Sequence, residues 1–309
     1  MARHIHPLKV VLVCLVVAQA AFGEVALAQD QAAASSSSPS APSTPATFRF
    51  LAVDHNGNPV TDLRAEDLSV RISNQPRKIV SLNRADSDPR TIGLFFDISG
   101  SRRGDNLIPK EVGAVVKFME SNWRPRDVGF VVLFNDAPYT VEKPTSDLPS
   151  IVAALQKVPY QRAIGSTALY DALCSVSVVG PQTGRGEKLF IVVGDFEDNS
   201  SRKSVREMIE TVRQQQIRVF SLFRLEEIDY QRQSHELRVR KIAKNIAEKT
   251  GGDVLTVSTE KDLDTAFQRL ANELRGAYRL DYEPPPQEPK LEPQIQTARH
   301  NVDFLFPRD

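Results

Sequence analysis

Hydrophobic and polar positions change their period along this chain. From Phe48 they alternate, with Phe48, Phe50 and Ala52 on one face, the period of a half-buried strand. Asn56-Gly57 then offers a hairpin-type turn. Leu68, Val70 and Ile72 alternate with Ser69 and Arg71, and 79–82 predicts a further short strand. Near the other end Tyr278, Leu280 and Tyr282 alternate with Arg279 and Asp281, and Val302, Phe304 and Phe306 with Asn301 and Asp303. Neither group suffices for a stable sheet alone. The two ends are therefore expected to pair into one small β-sandwich, 47–86 plus 277–309, with the Pro-rich stretch 284–293 as a loop between two of its strands.

Between these ends continuous apolar runs replace alternation, at 91–96, 128–134, 189–193, 217–223 and 254–257. Helical spacing separates them. Val205, Met208, Ile209 and Val212 share one helical face behind a Ser204-x-x-Glu207 capping box, and Leu263, Ala266, Phe267, Leu270 and Leu274 do so after Thr259. Buried strands with helical crossovers predict an α/β fold whose mostly parallel sheet, over 87–276, is covered on both faces. Such sheets bind ligands beyond the carboxyl ends of their strands.

The first residues belong to neither pattern. Arg3 and Lys9 precede an almost wholly apolar run at 10–22, and Ala26-Leu27-Ala28 fits a small-x-small cleavage site before Gln29. This reads as a secretory signal peptide over 1–28, too short in its apolar part to span a membrane. Cys14 follows Val11-Leu12-Val13 rather than the small residues of a lipoprotein site. Residues 29–46, rich in Ala, Ser, Pro and Gln, form a disordered linker. The mature chain is expected to be exported, periplasmic or extracellular, with no transmembrane segment. Only Cys174 then remains, so no internal disulfide is available. Its neighbours Leu169, Leu173 and Val176 place it as a buried small hydrophobe.

Lys plus Arg and Asp plus Glu both number 39, which removes the basic excess that nucleic acid or an anionic membrane would require. His55, His235 and His300 show no zinc-ligand spacing, and neither a G-x-S-x-G elbow nor a phosphate-cradling G-x-x-x-x-G-K-[ST] loop occurs. Arg103-Gly104-Asp105 is a three-residue match to a receptor-recognition tripeptide and is taken as chance. The 230–240 stretch reads as the exposed lead-in to a helix carrying Ile242 and Ile246.

One apolar run ends in chemistry. Phe95-Phe96-Asp97-Ile98-Ser99-Gly100-Ser101 sets three oxygen-bearing side chains, Asp97, Ser99 and Ser101, at alternate positions just past a buried strand. Hard divalent cations take such ligands; Mg²⁺ wants about six oxygens at about 2.1 Å. Read alone, the same residues could be a polar turn capping the next helix, and Thr167 a helix N-cap. Two more oxygen-rich loops fall at comparable strand ends, Gly165-Ser166-Thr167 and Gly194-Asp195-Phe196-Glu197-Asp198. Three loops on one sheet edge could close on a single ion.

With these residues in place the chain resembles the von Willebrand factor A family. In that family a doubly wound, Rossmann-like sheet carries a metal-ion-dependent adhesion site: an Asp-x-Ser-x-Ser loop, a Thr from a second loop and an Asp from a third. Asp97, Ser99, Ser101, Thr167 and Asp195 fill every position. The resemblance implies that the hydroxyls of Ser99, Ser101 and Thr167 bind the metal directly while Asp97 and Asp195 act largely through waters. The run Val53-Asp54-x-x-Gly57-x-Pro59-Val60-x-x-Leu63-x-x-Glu66-Asp67 and Ala277-Tyr278-Arg279-Leu280-x-Tyr282 look like segments that bracket the A domain in an exported bacterial subgroup.

Two features depart from the family pattern. Phe196 follows the third-loop Asp where Gly is usual, and Arg102-Arg103 follow Ser101, where their charge is expected to weaken cation binding. Glu197 and Asp198 read as solvated loop charges. The expectation is a non-enzymatic binding protein: Mg²⁺, or Mn²⁺ or Ca²⁺, held at the five residues, with an acidic side chain of a protein partner completing the shell. A cation-independent envelope scaffold is the alternative.

Overall fold

In the computed structural model the described residues are 44–103, 106–159, 163–175, 186–224, 233–285 and 293–307, all within one unit, Ser43–Asp309. The signal peptide, nearly all of the linker, the Gly-Asp of the Arg103 tripeptide, the start of the 230–240 stretch and most of the 284–293 loop lie outside them.

Alternation at the two ends produces two antiparallel sheets. The first four strands are β1 (Ala46–Val53), β2 (Leu68–Ile72), β3 (Gln75–Arg77) and β4 (Ile79–Arg84). The expected linker therefore runs one residue into β1. Ser73 and Asn74, both at positive φ, make the two-residue turn between β2 and β3, the hairpin connection that matches strand twist.

The middle of the chain follows with β5 (Arg90–Asp97), α1 (Ile108–Asn122), β6 (Val128–Phe134), β7 (Pro138–Thr145), α2 (Leu148–Leu155), α3 (Leu169–Ser175), β8 (Glu187–Gly194), α4 (Val205–Gln214), β9 (Ile217–Arg224), α5 (Gln233–Thr250), β10 (Val254–Val257) and α6 (Glu260–Arg275). The chain closes with β11 (Ala277–Tyr282), β12 (Gln294–Thr297) and β13 (Asp303–Leu305). The outer sheets run β13-β1-β11-β4 and β12-β2-β3 and share one core, including Phe50, Val70, Ile72, Tyr278, Leu280, Ile295 and Phe304. Tyr278 stacks on Phe50 and its Oη accepts the Leu63 N–H at 3.1 Å.

The central sheet runs β10-β9-β8-β5-β6-β7, parallel except for β7. Edge strand β7 is absent from the runs found in the sequence because Pro138 and Pro144 break its pattern, and Pro is tolerated only at an edge. All eight residues of β5 are buried, and its alternate side chains feed two cores. Ile92, Leu94 and Phe96 pack with α1, α2 and α6, whereas Phe95 packs with Phe130, Phe190 and the apolar faces of α3, α4 and α5. The predicted capping boxes form at Ser204–Glu207 and at Thr259, whose partner is Asp262. Cys174 is free and half-buried rather than fully buried, at the rim of the second core. Among the described residues no helix is long and apolar enough to cross a membrane.

Candidate metal centre

Connections from β5 run to β6 on one side, and β8 lies on the other. The crevice beyond the carboxyl end of β5 is thus the switch point of the sheet. Asp97 is the last residue of β5, Asp195 follows β8 directly, and Thr167 stands two residues before α3. Parallel pairing brings these ends together because each strand is in register with its neighbour across its whole length.

Four of the five predicted residues are joined by direct bonds. The Ser99 N–H donates to Asp97 Oδ1 at 2.8 Å, Ser99 Oγ and Ser101 Oγ share a hydrogen bond of 3.0 Å, and Ser101 Oγ donates to Asp195 Oδ2 at 2.6 Å. Thr167 joins through its backbone. Its N–H donates to Asn199 Oδ1 at 2.8 Å, its carbonyl accepts the N–H groups of Asn199 and Ser200, and the neighbouring Gly165 carbonyl accepts Gly100 N–H at 2.9 Å. Three separate loops are thereby tied to each other.

Local backbone conformation explains how these short loops manage it. Gly165 has φ +89°, and a Cβ there would lie 2.2 Å from Asp136 Oδ2, the carboxylate that accepts Ser166 N–H. A Cβ on Gly194 would come within 2.8 Å of Asp97 Cβ, so the small residue lets the two strand ends close around that carboxylate. Thr167 is not a helix cap: the first helical bond of α3 runs from Ala172 N–H to the Ala168 carbonyl, which puts Thr167 one residue outside.

Asp97 is only 2% exposed, and its Oδ2 receives no hydrogen bond from any described residue. Burial, and then the charge of nearby Asp195, push it up to about 7, partly opposed by its bonds to Ser99. An unpaired buried carboxylate oxygen is costly. A hard cation facing two carboxylates and three hydroxyls would relieve both burial and repulsion, so the donor set suits Mg²⁺ or Mn²⁺ better than a soft metal.

Both expected departures are altered by the fold. Phe196 does enter the left-handed region, at φ +59°, and is anchored there because its ring is buried against Phe223. The turn it allows lets Glu197 N–H reach Asp195 Oδ1 at 3.0 Å. Phe196→Gly would relieve about 1–2 kcal/mol of left-handed strain but lose burial worth about 3–5 kcal/mol. The expected outcome in urea denaturation is a net loss of roughly 2–3 kcal/mol, and a variant as stable as wild type would show the ring to be dispensable. Arg102, rather than lying over the cation seat, is buried in an ion pair with Glu111 of α1, and Arg103 Nε donates to the Ala163 carbonyl at 3.0 Å. Asp198 is no solvated charge either: it accepts Tyr170 N–H and Ser201 Oγ.

Asn135, Asp136, Asn199 and, from α1, Glu111 brace the site without having been singled out. The first three act on loops distant in sequence, and single polar residues in loops carry no periodic signal.

No protein-family profile and no curated protein matches the sequence. Solved structures do. Proximal thread matrix protein 1 from the mussel byssus, in a form with a zinc-occupied MIDAS motif, is 16% identical with a TM-score of 0.52, over 71% of this chain and 50% of that one. A second crystal form gives 0.51 at 16% identity, over 70% and 50%. The domain is von Willebrand factor A-like. The chain spans about half the length of the mussel protein, and at this identity the likeness concerns the fold of the A-like domain alone. An aerotolerance-related membrane protein from Bacteroides fragilis is 16% identical over 60% of this chain and 98% of that one, with a TM-score of 0.47.

Proposed function

We propose that the A-like domain binds a protein partner through a divalent cation held by Asp97, Ser99, Ser101, Thr167 and Asp195. The observation that carries this reading is the buried, donor-free Oδ2 of Asp97, set beside hydroxyls already linked to a second carboxylate. When bound, the cation supplies a Lewis-acidic point on which an acidic side chain of the partner completes the shell. The chain's own residues hold the loops, bury Asp97 and leave the Ser101 side exposed for that approach.

Binding rather than catalysis is favoured by the composition of the site: it contains hydroxyls and carboxylates but no histidine. His55, which contacts Asp303 and the His300 carbonyl, belongs to the sandwich. The zinc-occupied motif of the mussel protein is consistent with a cation at this position of the fold. With its expected signal peptide, the chain would work outside the cytoplasm as an adhesion-type module, and mass spectrometry of the mature protein should find Gln29 at its start.

The direct test is capture from envelope extract by the full chain. Partner retention should be present with Mg²⁺, fall at least about tenfold with EDTA, in line with losing one desolvated charge contact, and fall equally in the Ser99→Ala, Ser101→Ala double variant. Capture unchanged by EDTA and by the double variant would move the binding surface away from the cation seat, to the cation-independent scaffold.

A further inference from the structure

A second buried oxygen at the same sheet edge lacks a donor. Asn135 follows β6 directly, one residue beyond Phe134, which pairs with Asp97. It is 8% exposed, and its Oδ1 receives no hydrogen bond from any described residue. The orientation of the amide is determined by its surroundings. A carbonyl can only accept, so Nδ2 must face the Ile164 carbonyl, to which it donates at 2.9 Å, leaving Oδ1 turned the other way.

The surroundings also locate it. Ile98 N–H donates to the Phe134 carbonyl at 2.9 Å, Ile164 N–H donates to the Ile98 carbonyl at 3.0 Å, and Ala168 N–H donates to the Asn135 carbonyl at 2.7 Å. With the amide bond these links close a ring through the Asp97–Ser99 loop, the end of β6 and both ends of the 164–168 loop that contains Thr167. Asn135 is thus held between two of the three loops of the seat. Leaving a buried amide oxygen unpaired there is unfavourable, and a purely structural brace would need only Nδ2.

We propose that Asn135 is a further member of the cation centre: Oδ1 accepts a hydrogen bond from a water of the ion's hydration shell, while Nδ2 holds the Thr167 loop in register. This rests on the cation reading above and adds a residue outside the five that define the motif. Asn suits both duties, because an amide offers an acceptor and a donor at once without adding a third negative charge beside Asp97 and Asp195.

The test separates the two duties. Mg²⁺ is titrated calorimetrically into the full-length wild type and Asn135→Ala, the electron paramagnetic resonance spectrum of bound Mn²⁺ is recorded for each, and thermal unfolding is followed in EDTA. Asn135→Ala should bind Mg²⁺ about 10–100-fold more weakly, the usual effect of losing an outer partner of a metal site, and should alter the Mn²⁺ spectrum. Asn135→Asp keeps an acceptor oxygen but loses the donor to Ile164. It should share the stability loss of Asn135→Ala in EDTA, yet its acceptor oxygen and added negative charge should keep Mg²⁺ affinity at or above the wild-type value. Wild-type affinity and spectrum in Asn135→Ala, or an equal loss of Mg²⁺ affinity in Asn135→Asp, would overturn the role of Oδ1. A wild type that binds neither ion would overturn the cation reading itself.

Discussion

Asp97→Asn is expected to make the metal-free protein more stable at pH 8 while abolishing its response to Mg²⁺. The carboxyl of Asp97 is raised to about 7 by burial and by Asp195. Its protonated form is therefore the one the fold prefers. The contribution of Asp97 to metal-free stability should be greatest below the ordinary Asp value near 4 and should be lost as pH rises through about 7. At about 1.36 kcal/mol per pKa unit the decline amounts to roughly 4 kcal/mol as an upper bound. Asn keeps an acceptor for Ser99 N–H, replaces the unpaired Oδ2 with a neutral group and removes this slope.

With cation the order reverses. A ligand at a hundredfold excess over its Kd stabilises the wild type by about 2.7 kcal/mol, and the Asn variant should gain nothing. Unfolding midpoints across pH in EDTA and in Mg²⁺ check both halves. An EDTA pH profile of the same slope in wild type and Asp97→Asn, or a Mg²⁺ shift that persists in Asp97→Asn, would remove Asp97 from the centre.

Asp127→Ala should produce the largest loss of stability, at the opposite end of β5 from the cation seat. Asp127 is 0% exposed and accepts the N–H groups of Arg90 at 2.9 Å and Arg124 at 3.1 Å, together with Arg90 Nε at 3.0 Å. Arg90 Nη2 bonds to Asp127 and also to the Asn122 carbonyl that ends α1. Removing the carboxylate strands a buried guanidinium and two backbone donors. Breaking such a pair from one side costs about 3–5 kcal/mol, a large part of a typical total of about 5–15 kcal/mol. Urea denaturation should show this drop while the folded fraction still binds Mg²⁺ with wild-type affinity, because the seat lies at the other end of the strand. A loss below about 1 kcal/mol would class the pair with surface ion pairs.

Much of the architecture was legible because its signals are local. The continuous apolar run of β5 and the capping box at Ser204 depend on residues within one turn or one strand, and both formed as expected. So did the alternation of Leu68, Val70 and Ile72, all buried. The elements that escaped notice, β3, β7 and β12, are short or interrupted by Pro, and pairing rather than pattern makes them strands. The N-cap reading open to Thr167 by itself falls for a related reason: its side chain suits a cap, and only the first bond of α3, which starts at Ala168, excludes that role.

The site divides in the same way. Residue types and spacing pointed to Asp97, Ser99 and Ser101 and to two further oxygen-rich loops at strand ends, and the resemblance to the von Willebrand factor A family singled out Thr167 and Asp195 within those loops. What spacing could not tell was the state of those donors. The packing of Phe196 on Phe223 holds a left-handed turn that Phe rarely adopts, and Glu111 pairs with Arg102 in the interior, compensating its charge. Desolvation of Asp97 and the bracing by Asn135 arise between segments far apart in the chain. Periodicity is a property of neighbours in sequence, so it determined the layers and the strand ends at which ligands could be sought; burial, charge pairing and backbone strain are properties of neighbours in space, and only the folded chain decided them.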